Sequence, residues 1–448
     1  MNGAALAAPR TFAHGLHPLE YKEGTETRGT KRLAFARLLV IPMSQHLGAP
    51  AKPIVREGQE VVRGEPIAAA GGFVSVPMHA PATGIVEKID LAPSAAGTMI
   101  PAIYLRPYLG SPQEVLYGRP QDVDGLSPDD LIGAVQSTGM VGLGGAAFPT
   151  HVKMKVPEGK KVDVLIVNGC ECEPYLTTDH RLMLERMPDL FAGIRIALKA
   201  TGAAKALVGI EENKPDAIEA LRKALPAGLP AKVAPVQTKY PQGAERMLIK
   251  ALARREVPSG GLPSDAGVVV FNVGTLAQLG YLMPRGQGLI ERGVTVAGSG
   301  VRKPGNYLVP LGTPLRFLLE QAGFDGAARQ VILGGPMMGQ SLGSLDVPVT
   351  KGVSGILAFT EEEIRARTRK VYPCIRCGHC LQACPAFLNA SRLGLLARND
   401  RYELMEEKYH LNDCFECGCC AYACPSNIPL VHYFRMAKAK NRERKAAK

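Results

Sequence analysis

Two stretches decide how this chain is built: Cys374-Ile-Arg-Cys377-Gly-His-Cys380-Leu-Gln-Ala-Cys384-Pro385 and Cys414-Phe-Glu-Cys417-Gly-Cys-Cys420-Ala-Tyr-Ala-Cys424-Pro425. They are two copies of one pattern. Three closely spaced thiolates wrap three corners of an iron–sulfur cube, while the fourth, followed by proline, reaches away to the other cube. The spacing therefore assigns one [4Fe–4S] cluster to Cys374, Cys377, Cys380 and Cys424. A second falls to Cys414, Cys417, Cys420 and Cys384. Structural zinc also takes four thiolates, but its motifs offer pairs of cysteines, not duplicated triplets followed by Cys-Pro. Cys419 is extra and reads as a buried free thiol. The long, helical-looking stretch between the motifs makes the host a helical module with two motif repeats.

Upstream, the pattern changes to strand, polar loop and helix in alternation. Val162–Val167, Ala206–Ile210 and Val268–Val273 are apolar strands, separated by helical segments at 180–187, 190–200, 215–225 and 247–254. That order predicts an α/β unit with a largely parallel sheet, whose ligands gather at the carboxyl ends of the strands. The polar groups of Asn168–Glu173, Glu211–Asn213 and Asn272–Thr275 stand at those ends. Before this unit, short β-branched strands between Gly and Pro turns read as a small all-β barrel of hairpins, from about 51 to 125. After it, extended pieces around 294–296, 307–309 and 331–333, with a helix at 314–322, form a compact β unit over 291–350. The chain thus divides into an N-terminal extension (1–50), a β domain (51–125), an α/β domain (126–290), a β domain (291–350), the cysteine module (351–435) and a basic tail (436–448).

Composition agrees with several packed units. The 448 residues, 46% hydrophobic and 21% charged, make about three domains of ordinary size. No apolar run reaches the roughly 18 residues of a bilayer-spanning helix. The N-terminus also lacks a signal peptide's basic region and apolar core, so the chain reads as a protein made and kept in the cytoplasm. Nine of the eleven cysteines lie between Cys374 and Cys424, the placement of metal ligands and not of a secreted disulfide scaffold. Of the net charge of +12, half sits between Arg435 and Lys448. An acidic protein partner or an anionic lipid surface accounts for that charge, and no nucleic-acid module accompanies it.

The glycine-rich loop Gly139–Pro149, followed by Lys153, offers free backbone N–H groups and a cation to a phosphate, though it is neither a P-loop nor a dinucleotide fingerprint. With that loop in view, the central domain resembles the NADH-binding flavoprotein subunit of respiratory complex I, through Gly142–Thr150, Asn168–Pro174 and Asn272–Ala277. A closer resemblance, from Phe12 to Pro429, is to the C subunits of Rnf electron-transport complexes. It is carried by His17-Pro18, Glu171–Asp179, Tyr240–Glu245, Pro284-Arg285-Gly286, Glu291–Val296, Gly334–Gly339 and the two cysteine motifs. The fold this implies is multidomain α/β and β with a C-terminal helical two-cluster ferredoxin-like domain. The β domain at 51–125 is then of the barrel-sandwich, lipoyl-like type. It carries no prosthetic group, because Pro77-Met78-His79-Ala80-Pro81 holds no lysine. The 291–350 unit is β-grasp-like, of the SLBB type.

The resemblance implies FMN and NAD(H) as ligands beside two [4Fe–4S] clusters. Gly142, Gly144, Gly145 and Lys153 would hold the flavin ribityl and phosphate, and Asn168, Asn272 and Thr275 would position the same FMN. Glu171 and Glu173 would face the flavin and nicotinamide ribose, Phe148 would stack on the nucleotide, and Glu211 would mark the NADH side. Tyr240 and Glu245 match a second contact segment, in which Ala244 replaces a glutamate of the complex I pattern. Cys170 and Cys172 read as packing residues, His79 and His180 as surface hydrogen-bonding residues. A hydride carries two electrons and a cluster takes one, so a flavin is needed between them. The implied function is that of an NADH-interacting subunit of an ion-translocating NAD:ferredoxin oxidoreductase. It would be peripheral on the cytoplasmic face of the bacterial inner membrane, with integral-membrane and iron–sulfur subunits as partners and ferredoxin reached through them. Two other readings stand beside it: a non-enzymatic iron–sulfur adaptor, and the NADH dehydrogenase module of a soluble hydrogenase or formate dehydrogenase.

Overall fold

The computed structural model describes residues 10–446 apart from 325 and 327. Its centre is a four-stranded parallel sheet in the order Ala231–Val236, Lys205–Glu211, Val164–Gly169, Val268–Asn272. The three expected strands are present, buried on both faces as a parallel sheet requires. The fourth, Ala231–Val236, is not legible in the sequence, because Pro235 looks like a breaker. It lies at the sheet edge, where a missing N–H is tolerated. Helices Met187–Thr201 and Val273–Leu282 cover one face. They cross closely because Gly193 and Gly280 carry no side chain: a Cβ would lie 1.8 Å from the Leu276 carbonyl oxygen at Gly193, and 2.0 Å from that of Asp189 at Gly280.

The N-terminal β domain is a barrel-sandwich of a four-stranded and a three-stranded sheet. Its strand Leu39–Pro42 pairs with Met99–Pro107, so the unit begins well before the expected boundary at residue 51. The second β domain also outruns its expected limits. In its six-stranded sheet, Gly355–Thr360 lies between Glu291–Ala297 and Ala328–Leu333, and Lys31–Arg32 forms an outer pair with Gly305–Pro310. A boundary at 350 would remove one of its inner strands.

The cysteine module is helical, as expected, with Ala390–Arg398, Tyr402–Glu407 and Leu430–Ala446 packed on one another. The last helix runs through the segment expected to be a separate basic tail. Arg435 and Lys438 turn inward and pair with Glu416, whereas Arg444 pairs with Glu403 and Lys445 with Glu406 at the surface, and Lys440 and Arg442 stay exposed. Among the described residues no helix is long and apolar enough to cross a membrane.

Candidate functional site

At the carboxyl ends of the central strands lies a cavity of about 930 Å³, at the upper end of the usual range for ligand sites. The loop from Val141 to Pro149 closes on itself through a bridge between those two residues, with Gly142 N–H donating to the Phe148 carbonyl at 2.8 Å. Gly144 approaches Asn272 so closely that a Cβ would sit 3.2 Å from that side chain. Gly145 has φ +109 and open space where its side chain would be. The loop therefore presents bare backbone to the cavity. It is held from behind by Thr275, whose Oγ1 accepts from Leu143 N–H at 2.9 Å, and by the buried Arg292, which donates to the Leu143 carbonyl.

Asn168 and Asn272 face one another across adjacent parallel strands. Asn168 Nδ2 donates to the Gly243 carbonyl at 2.8 Å. Asn272 caps helix Val273–Leu282 by accepting from Gly274 and Thr275 N–H, and its Nδ2 donates to Asp179 at 2.6 Å. The Glu171 carboxylate is spent at another helix start, accepting from Thr178 Oγ1 and from Asp179 and His180 N–H. Beside it, burial and the Glu171 charge push Asp179 up to about 7, and burial lowers the Arg292 guanidinium to about 10. Glu173 accepts from Met337 and Met338 N–H at 3.0 and 2.9 Å, and its desolvation raises it to about 7.

Of the expected residues, Gly144, Gly145, Asn168, Glu171, Glu173, Tyr240, Glu245 and Asn272 line this cavity. Gly142 and Thr275 support it from behind. Lys153 reaches it only through an ion pair with Glu245. Phe148 and Glu211 stand outside the lining. Phe148 closes the loop by its backbone, whereas Glu211 pairs with the buried Lys214 at 2.9 Å in a small neighbouring pocket. His79 and His180, expected on the surface, are buried; burial takes His79 down to about 3, and His180 bonds Asp216. Cys170 and Cys172 are thiols whose burial raises them, Cys172 to about 12. Sequence reasoning misses Asp179 and Arg292, although both stand in the motifs quoted above. It also misses the walls supplied by Gln45–Leu47, Pro93–Ala96, Gly334–Gly335 and Phe415.

The cysteine repeats fold alike. Gly378 and Gly418 both have φ 82 and ψ −7, each starting a one-turn helix, and Arg376 and Glu416 before them are left-handed at φ 59 and 61. The thiols lie close enough to act on one another, Cys420 sensing Cys414, Cys417 and Cys384 and also Cys380. Cys380 senses Cys424, Cys377 and Cys374, while Cys414 senses Cys417 and Cys384. Burial pushes Cys414 up to about 11 and raises Cys384 and Cys420, so bound iron must hold these sulfurs as thiolates. Leu388 N–H points at Cys384 Sγ at 3.4 Å. Among the described residues no three His, Cys, Asp or Glu side chains gather tightly enough for a single ion. The donor chemistry fits two [4Fe–4S] clusters, and the bare-backbone cradle fits a flavin nucleotide.

The two sites share a wall. Phe415, between the expected ligands Cys414 and Cys417, lines the cavity. Tyr240, buried at 1% exposure, lines it too and donates its hydroxyl to the Cys417 carbonyl at 2.7 Å. Burial lifts that phenol far above its ordinary pKa, so it remains a donor.

Family models match in the order of the domains: an RnfC barrel sandwich hybrid domain at residues 10–107, a Nuo51 FMN-binding domain at 135–280, an SLBB domain at 294–341, and a 4Fe-4S dicluster domain at 370–428. The chain is 44% identical over 445 residues to the C subunit of the proton-translocating ferredoxin:NAD(+) oxidoreductase complex of Clostridium ljungdahlii, covering 98% of this chain and 96% of that one. It is 41% identical to the Na(+)-translocating counterpart of Acetobacterium woodii, covering 88% and 89%. Among solved structures, an NAD+-reducing [NiFe]-hydrogenase chain superposes with a TM-score of 0.50 at 22% identity. The match covers 69% of this chain and 62% of that one, a likeness of fold. The chain therefore belongs to the family of C subunits of Rnf-type, ion-translocating ferredoxin:NAD(+) oxidoreductase complexes.

Proposed function

We propose that this chain is the NADH-handling electron-transfer subunit of such a complex, exchanging hydride between NAD(H) and FMN and passing single electrons through two [4Fe–4S] clusters to other subunits. The observation that carries this reading is the shared wall: Phe415 and Tyr240 belong at once to the cavity and to the surroundings of Cys417. The backbone of Gly144 and Gly145 would bear the flavin, Asn168 and Asn272 would orient it, and Lys153, paired with Glu245 at the cavity's edge, would supply a cation for its phosphate. Glu173 and Glu245 border the nicotinamide side. FMN, when bound, supplies the change between two-electron and one-electron chemistry. The protein excludes water from it with walls drawn from three domains and the cluster module.

The cluster of Cys384, Cys414, Cys417 and Cys420 is then the near one. The other is the exit, because Cys374 and Cys377 are exposed beside exposed Val371, Tyr372 and Ile375, with Arg369, Lys370 and Arg376 around them. That face suits an acidic iron–sulfur subunit, through which ferredoxin is reached. Docking on integral-membrane subunits at the cytoplasmic face of the inner membrane completes the reading.

Anaerobic preparation, with iron, sulfide and flavin analysis and an NADH titration, tests it. The expected result is about eight irons and a flavin band bleached by NADH, followed by loss of cluster absorbance. Full iron with no NADH-bleachable flavin would leave only an adaptor. Recovery with a soluble hydrogenase in place of membrane subunits would favour the third reading.

A further inference from the structure

The segment Arg10–Leu16 lacks helix or extended strand, yet it touches both halves of the electron path. Its Arg10 carbonyl accepts from Gln237 N–H at 3.0 Å, and Lys239 Nζ donates to the Phe12 carbonyl at 2.9 Å. Leu16 and Tyr240 exchange two backbone hydrogen bonds, each of 2.8 Å. On the other side, His14 Nδ1 donates to the carbonyl of the ligand Cys384 at 2.9 Å, and Gly15 N–H donates to the Ala383 carbonyl at 3.3 Å. The His14 ring packs on Phe387 with centroids 4.5 Å apart. Leu16, Tyr240, Ala383, Cys417 and Phe415 share one apolar cluster. Residue 15 must be glycine: its φ is +83, and a Cβ would lie 2.6 Å from the Tyr240 carbonyl oxygen.

We propose that Arg10–Leu16 is a clamp that holds the cluster module against the flavin cavity, and that His14 is the positioning residue setting electron passage between bound flavin and the near cluster. This rests on the electron-transfer reading above. One electron leaves the flavin and one enters the cluster; no bond in the clamp forms or breaks. Hydride exchange occurs on the cavity side alone and does not involve the clamp. Electron transfer falls off steeply with distance, so a clamp that lets the module slip slows this step and leaves the first untouched.

The test compares the wild type with H14A and H14N, all iron-loaded and flavin-loaded, mixed rapidly with NADH under anaerobic conditions. Asparagine tolerates the left-handed backbone of residue 14 (φ 65) and offers an Nδ2 donor where His14 offers Nδ1. In H14A the flavin bleaches at the wild-type rate, while cluster reduction falls behind it. Amide hydrogen exchange at Leu16 and Tyr240 rises roughly tenfold, the equivalent of one lost hydrogen bond. The midpoint potential of the near cluster, titrated by electron paramagnetic resonance, stays in place, and H14N restores both rates. Cluster reduction that keeps pace in H14A despite faster exchange would overturn the proposal, as would a shifted potential, which assigns the slowing to driving force. If the wild-type flavin does not bleach at all, the electron-transfer reading fails instead, and amide exchange still reports on the clamp.

Discussion

Replacing Glu173 by glutamine tests whether the cavity holds a carboxyl that changes protonation near neutrality. Desolvation lifts this group from 4.5 to about 7, although two backbone amides oppose the rise. The folded state thus binds the proton more tightly than the unfolded chain. Stability from this source is complete below pH 4.5, falls as pH rises toward 7, and is level above. The shift multiplied by 1.36 kcal/mol per unit gives at most about 3 kcal/mol, and about 2 after allowing for partial exposure. Glutamine has no proton to lose, but it faces two N–H donors with one acceptor and forfeits about 1 kcal/mol at every pH. The E173Q variant is therefore the less stable protein at pH 4 and the more stable one at pH 8. Near 1 kcal/mol per 2–4 °C for a domain of this size, the difference in melting temperature swings by roughly 4–8 °C between those pH values. Asp179 titrates in the same range with the same sign. It is present in both proteins, so only the difference curve isolates residue 173. Parallel melting curves from pH 4 to 8 would show that Glu173 stays ionised and that its two amides suffice to hold the charge.

Three further outcomes follow from the packing and the thiols. Arg292→Met leaves the Asp179 and Glu171 charges facing an apolar side chain and frees the Leu143 carbonyl, and it costs roughly 3–5 kcal/mol by denaturant titration. Gly193→Ala drives a methyl into the Leu276 carbonyl and lowers stability by about 1–3 kcal/mol or more, with loss of flavin retention. Gly133→Ala, whose Cβ meets open space on helix Pro128–Ser137, stabilises by about 0.5–1 kcal/mol in the same melt. Cys414→Ser lowers bound iron from about eight to about four per chain, whereas Cys419→Ala leaves the iron content unchanged.

What could be read along the chain was what chemistry writes as local spacing. The duplicated cysteine pattern marks the two-cluster module, and apolar runs ending in Asn168 and Asn272 mark the parallel sheet and the end at which the cavity lies. Edge strand Ala231–Val236 escaped because Pro235 carries the same signal in an edge strand and in a turn. Gly355–Thr360 escaped as a strand of the second β domain because a short apolar run does not announce which sheet receives it. Arg10–Leu16 has no periodicity at all: its partners, mostly backbone carbonyls and amides, lie more than two hundred residues away, and backbone groups leave no mark in the sequence. Asp179 and Arg292 are charged residues buried by the fold, each partly offset by the other's charge, a proximity that exists only once the chain has folded.

The repeats show how far surroundings, and not motif, decide what a cluster does. Backbone angles at Gly378 and Gly418 are the same, and the hydrogen bonds that follow run in the same order: Cys384 N–H to the Leu381 carbonyl and Cys424 N–H to the Ala421 carbonyl, each at 3.2 Å. Yet Cys374 and Cys377 stand in solvent, while Cys417 and Cys420 are buried against Tyr240 and the C-terminal helix. Arg435 and Lys438 of that helix fix Glu416 inside the second repeat, and Lys438 also donates to the Cys414 carbonyl. Two of the basic residues expected to reach outward, Arg435 and Lys438, thus face the second repeat, while the first repeat keeps Arg369, Lys370 and Arg376 exposed around it. Duplication supplied two equal motifs; on the proposed reading, the asymmetric burial of one beside the cavity is what would give the pair an inner end and an outer end.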